Sequence, residues 1–160
     1  MKYQIINNFL KEEEFIKIKN LMIGHDFPWY LSKGINKIKD NNHQFVHIFY
    51  VDDKINSNFF NELNPLIKKL KIRSLLRIKA NLIPKNNKII EHGYHCDFDY
   101  SDSKTAVFYI NKNNGYTKFK DNFVSKSEEN KILIFNSKEK HTGTTCTNFD
   151  YRIIINFNYF

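Results

Sequence analysis

At 160 residues the chain is long enough for one domain with a real core and short for two, and 41% hydrophobic with 16% aromatic residues excludes a disordered chain and favours sheet. Lysine and arginine total 25 against 17 acidic residues, a formal charge of +8 and a pI near 9.3. The excess is scattered lysine, which reads first as a solvated surface, with a basic rim for an anionic or nucleic-acid partner as the less favoured reading.

After a short apolar start at Tyr3-Gln4-Ile5-Ile6, the run Lys11 to Ile23 places Phe15, Ile18, Leu21 and Met22 at helical spacing. Glu12, Glu13 and Glu14 sit where the helix dipole favours acids, and Gly24 ends the helix. Phe27-Pro28-Trp29-Tyr30 reads as a strand entry or a loop, with Trp29 expected in the core and a wall of a substrate pocket as the alternative. Gln44 to Val51 is a strand. Ser57 is expected to cap a second amphipathic helix carrying Phe59, Phe60, Leu63, Leu66, Ile67 and Leu70, in which Pro65 marks a kink or a second start.

From Ile72 onward the texture changes to short apolar runs: Ser74 to Ile83, Thr105 to Ile110, Tyr116 to Phe119, Lys131 to Phe135 and Arg152 to Phe160. Segments 112–115 and 125–130 have turn composition. Two helices followed by many short strands indicate a single α+β domain over 1–160, with helical support over about 1–70 and a barrel or double-sheet jelly roll over about 72–160. Cys96 and Cys146 lack framework spacing and are expected to be reduced thiols of a cytoplasmic protein. No segment approaches the apolar length of a membrane span, and the polar N-terminus does not read as a signal peptide.

The stretch around which the chain is organised is Glu91-His92-Gly93-Tyr94-His95-Cys96-Asp97-Phe98-Asp99. In an extended run, residues at i and i+2 share a face, so His95 and Asp97 present an imidazole and a carboxylate side by side. A mononuclear non-haem iron site needs two neutral nitrogens and one carboxylate on one side of the metal. His141, which follows the apolar run 131–135 and opens the Thr- and Gly-rich turn Thr142-Gly143-Thr144-Thr145, is expected to supply the third ligand. Asp99 is on the same face as Asp97 and is its rival; His92 is expected to face away, as a supporting or surface residue. His25, His43 and His47 read as ordinary polar residues. Arg152, entering an apolar strand, needs an anionic partner, because a buried unpaired guanidinium is costly. A dicarboxylic cosubstrate would supply one.

These residues resemble the Fe(II)/2-oxoglutarate-dependent dioxygenases, in particular the small prolyl-4-hydroxylase-like, phage-type members. The resemblance rests on His95-x-Asp97, Thr105-Ala106-Val107-Phe108-Tyr109-Ile110-Asn111, Gly115-Tyr116-Thr117-x-Phe119, Ile132-Leu133-Ile134-Phe135 before His141-x-Gly143, and Arg152 on the last strand. It covers about residues 77 to 160. It implies a double-stranded β-helix (jelly-roll) core with the N-terminal helices packed on one sheet. It also implies Fe(II) held by His95, Asp97 and His141, and 2-oxoglutarate as cosubstrate with O2. Arg152 would pair with the distal carboxylate of the cosubstrate, with Tyr109 beside it, though Tyr109 as a barrel-filling tyrosine stays open. Asn156, Thr117 and Asn81 fall where relatives place further polar contacts. Tyr116 departs from the pattern, since many relatives carry a glycine and an acidic residue there.

The implied reaction is hydroxylation of a substrate C–H bond, or demethylation through a hydroxylated intermediate, with release of succinate and CO2. Because Asp97 is a carboxylate, no ligand position is left for a halide. A peptide, a nucleobase and a small metabolite all suit a pocket edged by Tyr30, Phe98 and Tyr100. The alternatives from other classes are a noncatalytic jelly-roll module with a structural metal or none, and a nucleic-acid-binding barrel using aromatics and lysines.

Overall fold

A computed structural model describes residues 2–35 and 42–160. The chain begins with strand β1 (Tyr3–Ile6) and helix α1 (Glu12–Ile23), followed by β2 (Tyr30–Lys33), β3 (His43–Val51) and β4 (Lys54–Ile55). A 3-10 turn (Phe60–Leu63) leads into α2 (Asn64–Leu70). The remaining strands are β5 (Leu75–Pro84), β6 (Lys104–Tyr109), β7 (Tyr116–Phe119), β8 (Val124–Lys126), β9 (Lys131–Asn136), β10 (His141–Gly143) and β11 (Tyr151–Tyr159).

The helices form where the sequence asks for them. At the start of α1 the Glu14 carboxylate accepts the Lys11 backbone N–H, and at its end the Gly24 N–H donates to the Leu21 carbonyl. Pro65 marks a second start: its fixed φ suits a first turn and its missing N–H is not needed there, so the expected long helix divides into the 3-10 turn and α2. Ser57 is not the helix cap expected: its Oγ accepts the Phe59 N–H in the turn ahead of the 3-10 segment, whose N-cap is Phe59, and α2 is capped at Leu63, neither through a side chain.

Eight strands form one antiparallel sheet, ordered β1-β9-β6-β11-β5-β3-β2 with β4 paired to β3, and β10-β7-β8 form a second. Strand alternation gives the large sheet two unlike faces. Ile78 and Ala80 of β5, Ala106 and Phe108 of β6 and Ile153, Ile155 and Phe157 of β11 pack with Phe15, Ile18 and Met22 of α1 and Leu66 of α2. The opposite face carries Val107, Tyr109, Leu133, Phe135 and Ile154, and against it packs Phe119 of the small sheet. The result is the expected α+β jelly roll, with helices on one sheet and a two-sheet sandwich around the second face.

The strands expected over 74–83, 105–110, 116–119, 131–135 and 152–160 form within one or two residues of those bounds. Four further expectations need correction. The N-terminal part is not simply helical support, because β1 pairs with β9, and β2 and β3 extend the sheet beyond β5. Segment 125–130 is not all turn: 124–126 pairs with β7. His141 lies in a short strand rather than a turn, because 141–143 pairs with 117–119. Finally, 91–99 is not a strand: it makes two isolated bridges, Glu91 to Thr144 and His95 to His141, and is otherwise tied down by scattered hydrogen bonds such as His92 N–H to the Gly143 carbonyl and Asp97 N–H to the Ser137 carbonyl. Both cysteines are free, and no helix among the described residues is long and apolar enough to cross a membrane.

Candidate metal centre

The second face of the large sheet and the small sheet enclose a cavity, and the run 91–99 closes one side of it. Gly93 turns that run with φ 86, a left-handed conformation that glycine adopts without the clash of a Cβ. Beyond it, His95 and His141 exchange both backbone hydrogen bonds at 2.9 Å, which sets two imidazoles of different chain segments side by side. Their rings lie 4.5 Å apart between centroids. His95 Nε2 is 3.8 Å from Asp97 Oδ1, and His141 Nε2 is 4.0 Å from Asp97 Oδ2. Ligand atoms of the three residues all lie within 4.8 Å of one another, a spacing at which one cation can touch all three.

The ring orientation suits metal binding. His141 Nδ1 faces the Glu139 carbonyl at 2.9 Å and His95 Nδ1 faces the Gly93 carbonyl at 3.5 Å. With the protons there, both Nε2 lone pairs are directed at the cluster. Burial lowers the pKa of His95, helped by the neighbouring His141, so its neutral, ligating form is favoured. Burial alone would raise the Asp97 carboxyl, but the neighbouring His141, Arg77 and His95 and the Asn158 amide outweigh it and hold the group below its ordinary value.

Asp97 is fixed from behind by groups that the sequence reading did not single out. Arg77 Nη2 donates to Oδ1 at 3.2 Å, and Asn158 Nδ2 and Thr105 Oγ1 both donate to Oδ2 at 3.0 Å. The missed signal is parity. Arg77, Lys79 and Asn81 occupy alternate positions of β5, and Arg152, Asn156 and Asn158 lie on the same sheet face in the neighbouring β11, polar residues of one parity in strands that otherwise read as core. Asp99 is exposed and salt-bridged to Lys138, so it does not compete with Asp97. His92, expected to face away, is buried and lines the same cavity. Of the ordinary histidines, His25 and His43 are exposed, and His47 is a core residue bonded to the Pro28 carbonyl and Ser57 Oγ.

Arg152 lies in the same cavity and is fully buried. Its Nε donates to Ser127 Oγ at 2.8 Å and Nη2 to Thr117 Oγ1 at 3.3 Å, but the buried Nη1 has no partner among the described residues. Gly115 makes room for it, since a Cβ there would come within 2.7 Å of Arg152 Cδ. Asn81, Thr117 and Asn156 line the cavity as well. Tyr109 stands behind Thr117, donating its hydroxyl to Thr117 Oγ1 at 3.0 Å, and is not among the lining residues. Tyr116, the departure from the family pattern, points elsewhere: its hydroxyl donates to Glu91, which also accepts from Lys118. It therefore ties β7 to the start of the ligand run.

The aromatic edge expected at Tyr30, Phe98 and Tyr100 is not part of the cavity lining. Tyr30 is exposed beside His47, while Phe98 stacks with Tyr100 outside the ligand cluster. Trp29 packs on Phe27 and donates its indole N–H to the Met22 carbonyl, a core role.

Known structures share the fold that brings these residues together. A 2OG-Fe(II) oxygenase family oxidoreductase from Burkholderia pseudomallei matches 98% of this chain and 84% of its own at 12% identity and a TM-score of 0.70. The chain has the fold of the 2OG-Fe(II) oxygenases. A prolyl hydroxylase from Trichoplax adhaerens, in complex with a hypoxia inducible factor oxygen degradation domain peptide fragment, matches 98% of this chain and 83% of its own at 14% identity and a TM-score of 0.67. HygX from Streptomyces hygroscopicus, with nickel, 2-oxoglutarate and hygromycin B bound, matches 98% and 82% at 12% identity and a TM-score of 0.61. No family model matches the sequence, and no curated protein matches it.

The residues present fit the groups this oxygenase fold implies. The donor set is the two-nitrogen, one-carboxylate set of a non-haem iron(II) site. The unpartnered Nη1 of Arg152 is a buried donor that calls for an anion, as a distal carboxylate would provide.

Proposed function

We propose that the protein is an Fe(II)- and 2-oxoglutarate-dependent oxygenase that hydroxylates a C–H bond of its substrate, releasing succinate and CO2. The observation that carries this reading is the joint presence, in one cavity, of the His95, Asp97 and His141 cluster and the buried Nη1 of Arg152.

Iron(II) and 2-oxoglutarate, when bound, supply the chemistry: oxygen is activated as the 2-oxo acid is oxidatively decarboxylated, and one oxygen atom goes to the substrate. His95, Asp97 and His141 hold the metal. Arg152 grips the distal carboxylate, so that the 2-oxo end is presented to the metal. Thr117 and Ser127 keep the guanidinium in place, Tyr109 steadies Thr117, and Asn81 and Asn156 offer polar contacts along the cavity wall. Arg77, Asn158 and Thr105 hold Asp97 as a carboxylate in one orientation. The apolar stretch of Val107, Ile83 and Ile154 limits water in the cavity. Structures of this fold hold molecules as different as a peptide fragment and hygromycin B, so the fold does not choose the substrate.

The test is oxygen- and iron-dependent conversion of 2-oxoglutarate to succinate by the purified protein. Turnover is expected to disappear in His95→Ala and in Asp97→Ala. Full turnover in both variants would sink the proposal.

A further inference from the structure

The cavity holds a cation that the reading above leaves unmatched. Lys79 lines it, in the middle of β5 and directly opposite Asn156 of β11. Among the described residues its ammonium has no hydrogen bond and no ion pair, only the more distant fields of Arg77 and Asp97. Lys79 is half-buried, and a lysine drawn into a cavity without a counter-charge loses hydration that nothing there replaces.

Charge accounting shows what is missing, and it rests on the oxygenase reading. Arg152 is matched by the distal carboxylate of 2-oxoglutarate. A divalent metal beside Asp97 keeps one positive charge, which the second carboxylate neutralises. Arg77 is bonded to Asp97 and partly open to water, which screens it. Lys79 remains as a full charge in a place where water screens poorly.

Position separates Lys79 from the cosubstrate. Arg152 is opposite Ile83 and Lys79 opposite Asn156, four residues or about 13 Å apart along the strand. Lys79 lies two residues from Arg77 and its partner Asn156 two from Asn158, and Arg77 and Asn158 both bond Asp97, beside the part-exposed His95, whereas Arg152 sits among Thr117, Ser127 and Tyr109. Lys79 therefore stands at the metal end of the cavity, on the side of the part-exposed ligand. Asn156 adds a carboxamide there whose oxygen is buried without a partner.

We infer that the prime substrate carries an oxyanion, a carboxylate or a phosphate, and that Lys79 binds it to fix which C–H bond faces the metal. A lysine recognises either anion as a point charge, so the sequence type alone does not choose between them.

Protein loaded with Mn(II) and saturating 2-oxoglutarate, with inorganic phosphate or acetate as the probe, tests this through paramagnetic relaxation of the probe's 31P or 13C nucleus. The wild type should show saturable relaxation, and Lys79→Met should weaken probe affinity by about tenfold or more. Lys79→Arg should retain binding, and the 2-oxoglutarate affinity of Lys79→Met should stay within about twofold of wild type. Saturation by phosphate alone assigns a phosphorylated substrate, and by acetate alone a carboxylic one. Relaxation unchanged in Lys79→Met would mean that the anion goes directly to the metal and overturns the inference. Equal losses of probe and 2-oxoglutarate binding would place Lys79 on the cosubstrate and also overturn it. A wild type that binds phosphate but never 2-oxoglutarate would instead defeat the oxygenase reading.

Discussion

Along β11, Ile153, Ile155, Phe157 and Tyr159 lie in the core beneath the helices, whereas Arg152 and Asn156 line the cavity and Asn158 supports Asp97. β5 repeats the pattern, with Ile78 and Ala80 in the core and Arg77, Lys79 and Asn81 on the other face. On these two strands the helix-covered face is apolar and gains stability from burial. The opposite face holds a buried arginine with a donor unused among the described residues, a half-buried lysine with no counter-charge among them, and the buried carboxylate of Asp97. Neighbouring residues of a single strand thus take opposite sides of a division between stability and binding.

That division can be broken from either side. The largest effect is expected on the apolar face: Phe157→Ala should lower unfolding free energy by about 4 kcal/mol, read from a urea transition. Next is Arg152→Met. It should weaken 2-oxoglutarate binding by about 3 kcal/mol, roughly 150-fold, in titrations of Mn(II)-loaded protein. Its thermal midpoint should hold or rise, because a buried and incompletely paired cation has been replaced by an apolar side chain of similar length. A fall in Tm comparable to that of Phe157→Ala would erase the contrast between the faces.

Lys79 gives the third test, through pH. Burial, with Arg77 adding to it, pushes its amine down to about 8. Between that value and the ordinary lysine value the unfolded chain holds the proton more often than the folded one, so stability should rise with pH across this window. Urea midpoints of metal-free wild type should therefore gain on those of Lys79→Met from pH 8 to pH 10, by an amount on the order of 2 kcal/mol. The smallest effect is expected for Asn158→Ala, which removes one donor from Asp97. Mn(II) affinity should drop about tenfold, near 1.4 kcal/mol, with His95 and His141 still in place.

The parts of the fold that could be read from the sequence are those whose signals are local. α1 is marked by its apolar spacing, its acidic first turn and Gly24, and β7 shows as a compact alternating run. β8 and β10 have three residues each and little apolar content, and they exist because β7 lies between them. Nothing within residues 124–126 or 141–143 announces a partner chosen elsewhere in the chain. β1 was visible as an apolar start, but not as the edge strand that β9 completes.

The site divides the same way. His95 and Asp97 are neighbours by spacing, whereas the choice of Asp97 over Asp99 depends on donors from β5, β6 and β11 converging on one carboxylate. Arg152 was legible as a charge in an apolar strand. Arg77 and Lys79 carried a similar signal, but in a lysine-rich chain two more basic residues look like surface.

The two backbone hydrogen bonds joining His95 to His141 have a bearing on how such a chain can change. The pair acts as a clasp, with the Cα separation of the two histidines set by the geometry of a bridged pair and not by the length of chain between them. Loops inside that interval, apart from the stretch that carries Asp97 and its donor Thr105, can lengthen, shorten or be exchanged without altering the spacing of the two histidines. The clasp frees those loops to vary, and they join strands of the sheets that wall the cavity.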